Sequence, residues 1–196
     1  MNTIVTTLKT EAVFSDDGVK RYLLRKTWDD KKPKLSIVML APSGASGIEL
    51  DTTTLLVLNN ADRLGFGSVD VLNLFATLND FSLNQAEEED TENLNVILTS
   101  VTSADTIVYA PGVGKGKNKS FVRRQEIVLN VLKAFENKLN CLCSKNGDNR
   151  FQHPLSPAVR TWYLSSMRVE ELLDDVTVLP ISKKMKGKSK KESLDY

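Results

Sequence analysis

The sequence predicts an α/β protein with a three-layer α/β/α arrangement around a mainly parallel central sheet. Short apolar runs rich in β-branched residues, such as residues 35–40, alternate with longer segments of helical periodicity. Strands that alternate with helices build βαβ units, which produce parallel sheets covered by helices. The chain has 196 residues, of which 41% are hydrophobic. It is therefore long enough for one such domain, which we predict over residues 1–180.

The individual elements follow from local patterns in chain order. A β-hairpin is predicted at about residues 11–26, where two short strands flank a turn that ends in Gly18. Asp51 is a suitable N-cap for a helix that ends before Gly65. The remaining predicted elements are strands at 35–40, 68–72, 106–110, 139–143 and 176–179, and helices at 52–64, 91–103 and 120–138.

Charge and cysteine content narrow the class of protein. A net charge of +1 conceals six lysines within residues 183–191, and residues 181–196 are predicted to form a disordered tail. This tail could bind nucleic acid phosphates or simply keep the chain in solution. No apolar run approaches the length of a bilayer-spanning helix. The presence of only two cysteines, Cys141 and Cys143, favours a cytoplasmic protein. A single histidine leaves few candidate metal ligands, and we predict neither a metal site nor a cofactor.

Four segments that follow the central predicted strands carry residues suited to ligand contact. They are residues 41–47, 73–76, 111–119 and the stretch that ends at 153–156. Ligands of parallel sheets bind beyond the carboxyl ends of the strands, so segments in this position can meet. The sequence therefore predicts a single pocket at that edge of the sheet.

His153 is the only histidine in the chain and lies in a polar segment bounded by proline. An imidazole is the side chain whose unperturbed pKa suits acid–base chemistry near neutral pH. We therefore predict His153 as a catalytic residue. The alternative is a histidine that caps a turn or lies on the surface.

Asn73 follows a predicted buried strand, so an amide stands where that strand leaves the core. An amide both donates and accepts hydrogen bonds, which suits the reading of a base edge, although it could equally tie down a loop. Phe75, Phe81 and Phe151 could stack on a base or belong to the core.

The loop at 41–47 carries Pro42 and Ser43 and could present backbone N–H groups to an anion or a base edge. Its spacing is not that of a nucleophile elbow. A hydrolase that uses Ser43, His153 and Asp51 remains an open alternative.

Basic residues are concentrated after the third central strand. The loop at 112–119 does not fit a Walker A motif, but its lysines could grip a phosphate backbone, or could simply make the loop soluble. The predicted backbone contacts are Lys115, Lys117, Lys119, Arg123 and Arg124.

Several motifs resemble the bacterial domain of unknown function 1643 family. They are Leu-Ala-Pro-Ser at 40–43, Asp-Thr-Thr at 51–53, Val-Leu-Asn-Leu-Phe-Ala at 71–76, and the stretch from 147 that ends in His-Pro-Leu at 153–155. The resemblance extends from about Arg21 to Leu155. It implies no settled activity.

The order of these segments bears a more distant resemblance to the uracil-DNA glycosylase superfamily. That resemblance implies that residues 41–46, with Pro42 and Ser43, form the water and base pocket loop and that Asn73 reads the base. It also implies that His153 stabilises the leaving base, while residues 154–157, with Ser156, press on the DNA strand. Ala41 departs from the Asp or Asn common in that first loop. Asp51 is the nearest carboxylate downstream.

From these observations we predict a DNA-acting protein that recognises a nucleobase or single-stranded DNA. If it is an enzyme, the predicted reaction is the hydrolysis of an N-glycosidic bond, which releases a base. One alternative is a non-catalytic nucleic-acid accessory protein on the same fold. Another is a hydrolase or transferase that acts on a free nucleotide.

Overall fold

The computed structural model describes residues 1–44, 47–79, 90–112, 118–145 and 151–178. The predicted lysine-rich tail at 181–196 lies outside these residues. No helix within the described ranges is long and apolar enough to cross a membrane.

One seven-stranded mixed sheet organises the described chain, in the order β1-β2-β4-β3-β5-β6-β7. Its strands are β1 (Lys9–Phe14), β2 (Arg21–Thr27), β3 (Lys34–Met39), β4 (Ser68–Asn73), β5 (Thr106–Tyr109), β6 (Leu139–Cys143) and β7 (Tyr163–Ser166). The four central strands, β4-β3-β5-β6, are mutually parallel. The three outer pairs, β1–β2, β2–β4 and β6–β7, are antiparallel. The predicted parallel sheet is therefore correct for the centre only, because the hairpin β1–β2 and β7 extend it on either side.

Four α-helices accompany the sheet in the described residues: α1 (Thr52–Arg63), α2 (Thr91–Ser103), α3 (Lys119–Leu132) and α4 (Val169–Val178). Asp51 caps α1, as predicted, and accepts a hydrogen bond from the Thr54 amide at 2.6 Å. Asp90 caps α2 in the same way. Such caps satisfy amide groups that the first turn of a helix leaves without partners.

Two sequence predictions in the second half of the chain need correction, and one strand was not predicted. The predicted helix at 120–138 becomes 3₁₀ after α3, over Lys133–Lys138. The predicted strand at 176–179 is wrong, because residues 176–178 belong to α4. Their β-branched side chains favour a strand locally, but the buried residues Val169 and Leu172 are spaced as on one helix face. β7 was missed because its side chains are mostly exposed.

Alternating side chains of the central strands pack into two separate hydrophobic clusters. Val38 of β3 belongs to the cluster that also holds buried residues of α2, α3 and α4. Its neighbour Ile37 belongs to the other cluster, with Val57 and Ala61 of α1. Successive residues of a strand point to opposite faces, so helices contact both faces of the sheet. The chain therefore leaves adjacent strands β3 and β5 toward opposite faces, and ligands of parallel sheets bind beyond the carboxyl ends of strands at such a point.

Candidate functional site

The segment that carries His153 packs against the residues that follow β5. Gly112 has φ +83°, and a Cβ atom built on it would lie 3.1 Å from the Cβ of His153. Glycine is therefore favoured at position 112 both by backbone conformation and by the close approach of the histidine. The structure brings the predicted segments after β5 and β6 together.

His153 lies in a tight turn that fixes its ring. The Leu155 amide donates to Nδ1 of His153 at 3.1 Å. The His153 amide donates to Ser156 Oγ at 3.2 Å, and the Ser156 amide donates to the His153 carbonyl at 2.8 Å. Because Nδ1 accepts, the proton of the neutral ring is on Nε2. His153 is thus arranged as an Nε2–H donor, and Ser156 serves the turn.

Burial lowers the pKa of His153 below its ordinary value, while the negative charge of Asp51 acts in the opposite direction. The net effect favours the neutral ring, since desolvation disfavours the charged form. A neutral imidazole can donate from Nε2 without carrying a charge. The same interaction shows that Asp51 and His153 belong to one electrostatic environment.

Asp51 is held as a carboxylate. Burial raises its pKa, but hydrogen bonds from Ser43 and Thr54 and the charge of Arg21 outweigh burial, so that the net pKa is lowered. Nδ1 of His153 accepts a hydrogen bond from the Leu155 amide and therefore has no proton to donate to Asp51. A Ser–His–Asp triad requires that bond from Nδ1–H to the aspartate, so the geometry does not favour the Ser43–His153–Asp51 hydrolase.

Asn73 is the last residue of β4 and is 2% exposed. None of the described residues accepts a hydrogen bond from its Nδ2 atom. An amide donor buried without a partner is destabilising in a native protein, and such groups often mark places where a ligand binds. Asn73 therefore meets the expectation of a polar amide where the strand leaves the core.

The segments after β3 and β4 run side by side. The Leu74 amide donates to the Met39 carbonyl at 2.8 Å, and the Phe75 amide donates to the Leu40 carbonyl at 3.0 Å. Pro42, on the first of these segments, is buried. The loop that follows β3 and the amide at the end of β4 are thus neighbours, as one shared pocket requires.

The aromatic predictions are corrected in part. Phe75 is 1% exposed and packs in the core cluster on the side of α2, as the alternative interpretation of this residue predicted. Phe151 is also buried and meets Tyr109 edge to face, with ring centroids 6.0 Å apart. Phe81 lies outside the described residues. A sequence does not show which of its aromatic residues face the core.

The predicted phosphate contacts separate into three groups. Lys115 and Lys117 lie outside the described residues. Lys119 and Arg123 are exposed on the first turns of α3, and Arg123 is 3.7 Å from Glu126. Arg124 is fully buried and donates to main-chain carbonyls, so the prediction that it contacts a phosphate backbone is wrong. Adjacent residues of a helix point in different directions, which the linear sequence does not resolve.

Two features of the site escaped the sequence prediction. Arg21, at the start of β2, is buried and its charge acts on Asp51. Asn93 of α2 is buried and donates to the main chain of Asn73. Nothing in the local pattern marks either residue, because both act through contacts distant in the chain.

The part of the chain that the structure describes contains no group of three His, Cys, Asp or Glu side chains that could hold a metal ion. Two of its cavities lie away from the predicted site. One of about 680 Å³ lies between residues 5–8, Trp28 and α1. The other, of about 330 Å³, lies between the hairpin and α2.

Fold and site together define an α/β protein with a polar site at the carboxyl ends of parallel strands. A family described as "Protein of unknown function (DUF1643)" matches residues 21–155, and the chain belongs to this family. No curated protein and no solved structure matches the chain. Ser43, Asp51, Asn73 and His153 all lie within the matched range.

Proposed function

We propose that this protein acts on DNA in the manner of a uracil-DNA glycosylase, recognising a nucleobase at the carboxyl ends of the parallel strands and releasing it. One observation carries the proposal: His153 is arranged as a neutral Nε2–H donor in the electrostatic environment of the ionised Asp51. Helices on both faces of the sheet also support a three-layer fold of that type.

The proposed reaction separates two opposite charges. As the bond between the base and C1′ breaks, its electrons leave with the base, and positive charge develops on the sugar. Nε2–H of His153 would donate to an oxygen of the departing base and stabilise its negative charge. Asp51, which remains ionised, would stabilise the sugar cation. Water then forms a bond to C1′, and its proton neutralises the base.

Base recognition is assigned to Asn73. Its buried Nδ2 is without an acceptor among the described residues, and a carbonyl oxygen of a base extruded from the strand would supply one. A site built to hydrogen-bond a ligand rejects analogues that leave its buried groups unpaired. Asn73 would therefore contribute selectivity rather than chemistry.

Contacts to the strand would come from the turn at 153–157 and from exposed cations. Leu155 is 40% exposed beside His153 and would press on neighbouring nucleotides. The exposed Lys119 and Arg123, with the lysine-rich tail, would neutralise phosphates and make binding depend on salt.

A non-catalytic reader on the same fold is the second candidate, and one observation favours it. Asp51 already caps α1 and accepts a hydrogen bond from Ser43, while Ala41 cannot position water. Such a protein would bind an extruded base and leave the glycosidic bond intact.

A base-excision assay tests the proposal. Single- and double-stranded oligonucleotides that contain uracil are incubated with the protein, and abasic products are cleaved with alkali. We expect cleavage by the parent protein, loss of cleavage in His153→Ala, and no change in the control Leu98→Ala, which alters an exposed leucine of α2. Binding without cleavage would identify the non-catalytic reader. The absence of both binding and cleavage would contradict the proposal.

A further inference from the structure

Two buried side chains from different helices converge on the main chain immediately after Asn73. Asn93 of α2 donates from Nδ2 to the carbonyls of Asn73 and Leu74, at 3.0 and 3.1 Å. Arg124 of α3 donates from Nε to the Leu74 carbonyl at 2.7 Å. We call Asn93 and Arg124 the carbonyl clamp.

The carbonyl clamp completes the hydrogen bonding of two successive peptide groups. The N–H of the first group, at Leu74, donates to Met39, and the N–H of the second, at Phe75, donates to Leu40. The clamp donates to the carbonyl of each of the same two groups. Both peptide planes that follow Asn73 are thus fixed from β3 on one side and from the helices on the other.

Arg124 also links this segment to the start of α2. Its two terminal nitrogens are each 3.4 Å from the Asp90 carbonyl. Burial raises the pKa of Asp90, but hydrogen bonds from Asn93 and Lys20 and the charges of Lys20 and Arg124 lower it, so that the net pKa is lowered. Asp90 is the N-cap of α2, whose first turn supplies Asn93. The clamp residues therefore support each other as well as the segment they hold.

Holding a core segment with the carbonyl clamp carries a large desolvation cost. A fully buried guanidinium loses much of its hydration, and an apolar side chain of similar volume often stabilises a core equally well. What the guanidinium adds is direction, since its fixed fork of donors sets the orientation of the carbonyl groups it binds. Orientation matters most at Asn73, because the direction of its side chain depends on the adjacent backbone, which the carbonyl clamp fixes.

We infer that Asn93 and Arg124 are positioning residues that hold the amide of Asn73 in the orientation required to read a base. The inference rests on the proposed function for the base and on the observed hydrogen bonds for the positioning. It assigns Arg124 to the support of base selectivity instead of to the phosphate backbone.

The positioning of Asn73 is tested first without any ligand. NMR detects the side-chain ¹⁵N amide of Asn73, whose signals are assigned by their loss in Asn73→Gln. We expect one sharp pair of signals in the parent protein, and shifted or broadened signals in Asn93→Ala and Arg124→Gln. Arg124→Lys keeps the charge and should restore the signals only in part. Leu132→Ala, which removes a buried side chain of α3 eight residues from Arg124, should leave the Asn73 signals in place.

Selectivity is tested next with two single-stranded oligonucleotides that differ at one position, uracil in one and a tetrahydrofuran abasic analogue in the other. The ratio of their dissociation constants should fall about tenfold in Asn73→Ala, as expected for one lost hydrogen bond. Each clamp variant should reduce the ratio toward the same value, with little change in affinity for the abasic strand. Combining Asn93→Ala with Asn73→Ala should produce no further loss.

The outcomes distinguish a failure of the positioning from a failure of the proposed base recognition. Unchanged Asn73 signals in both clamp variants would overturn the inference. The inference would also be overturned if the ratio of dissociation constants stayed at the parent value in the clamp variants but fell in Asn73→Ala. If the signals move as expected but the parent protein binds both oligonucleotides equally, positioning stands and the proposed base recognition fails.

Discussion

Asp70 and Asp51 are aspartates with lowered pKa values in two regions of the same fold. Asp70 is fully buried in the middle of β4. It accepts hydrogen bonds from Arg25 at 2.6 and 2.8 Å and from Ser100 at 2.6 Å, and Lys34 is 2.8 Å away. Burial raises its pKa, but the hydrogen bonds of Arg25, Lys34 and Ser100 outweigh burial. Its hydrogen-bonding capacity is used within the protein.

Asp51 lies at the edge of the sheet and is only partly buried. Ser43 and Thr54 donate to it, and its negative charge reaches His153. Both aspartates are therefore ionised, and they differ in the groups that surround them. Asp70 stabilises the fold with two cations beside it, whereas the charge of Asp51 acts on the imidazole of His153 at the candidate site.

The largest expected effect concerns Asp70. Replacing Asp70 by Ala leaves Arg25 and Lys34 without their shared carboxylate, and we expect a loss of about 3 kcal/mol in the free energy of unfolding. Urea denaturation measures this change. Asp16→Ala, in the exposed turn of the hairpin, is the control and should change stability by less than about 0.5 kcal/mol. A loss as small as that of the control would refute the structural role of Asp70.

The second prediction separates charge from capping at Asp51. Asparagine caps helices about as well as aspartate does, so Asp51→Asn should alter stability by only a few tenths of a kcal/mol. It removes the negative charge, however, and the rate of base excision should fall about 100-fold. Single-turnover kinetics beside urea denaturation check both halves. Full activity in Asp51→Asn would leave Asp51 as a helix cap only.

The third prediction uses two glycines to measure the contact with His153. Gly112→Ala and Gly18→Ala both force alanine to positive φ, which destabilises by about 1–2 kcal/mol. A Cβ on Gly18 meets nothing within 4 Å, whereas a Cβ on Gly112 meets His153. Thermal unfolding should therefore show a larger loss for Gly112→Ala, and excision should weaken in that variant alone. Equal losses with equal activity would contradict the packing of the site.

The smallest effect is a pH dependence due to His153. Because burial lowers its pKa in the folded protein, the unfolded chain takes up the proton at higher pH than the folded chain does. The stability from the neutral ring is therefore present above about pH 6.5 and declines as the pH falls below that value. In His153→Gln, urea denaturation should show a flatter profile in this range. The decline due to Asp51 and Asp70, whose pKa values are lowered, belongs to pH values below about 4.

Much of the fold could be predicted from the sequence because its central strands are short, largely buried runs rich in apolar residues. β3 is buried over most of its length, and that burial is what an apolar pattern reports. The same reasoning fails for β7, which is mostly exposed and joins the sheet through main-chain pairing with β6. It also fails at the end of α4, where packing of its first turns overrides the strand preference of residues 176–178.

The sequence could predict which segments lie next to each other beyond the strands, but not the contacts of the individual side chains. The rule that ligands bind beyond parallel strands selected the segments with Asn73 and His153. It could not show that Arg124 turns inward while Arg123 stays exposed, or that Phe75 packs in the core. Such facts depend on the faces of helices and loops that meet only in three dimensions.

The most direct test of the central claim follows the single histidine of the chain by NMR of protein labelled with ¹⁵N-histidine. Only His153 contributes to the spectrum, so tautomer and pKa are read without ambiguity. We predict a neutral ring protonated on Nε2, with a pKa below the ordinary value. We also predict a shift of the Nε2 signal when a uracil-containing oligonucleotide is added, and a smaller shift with the abasic analogue. A ring protonated on Nδ1, or an Nε2 signal that ignores a saturating uracil-containing strand, would contradict it.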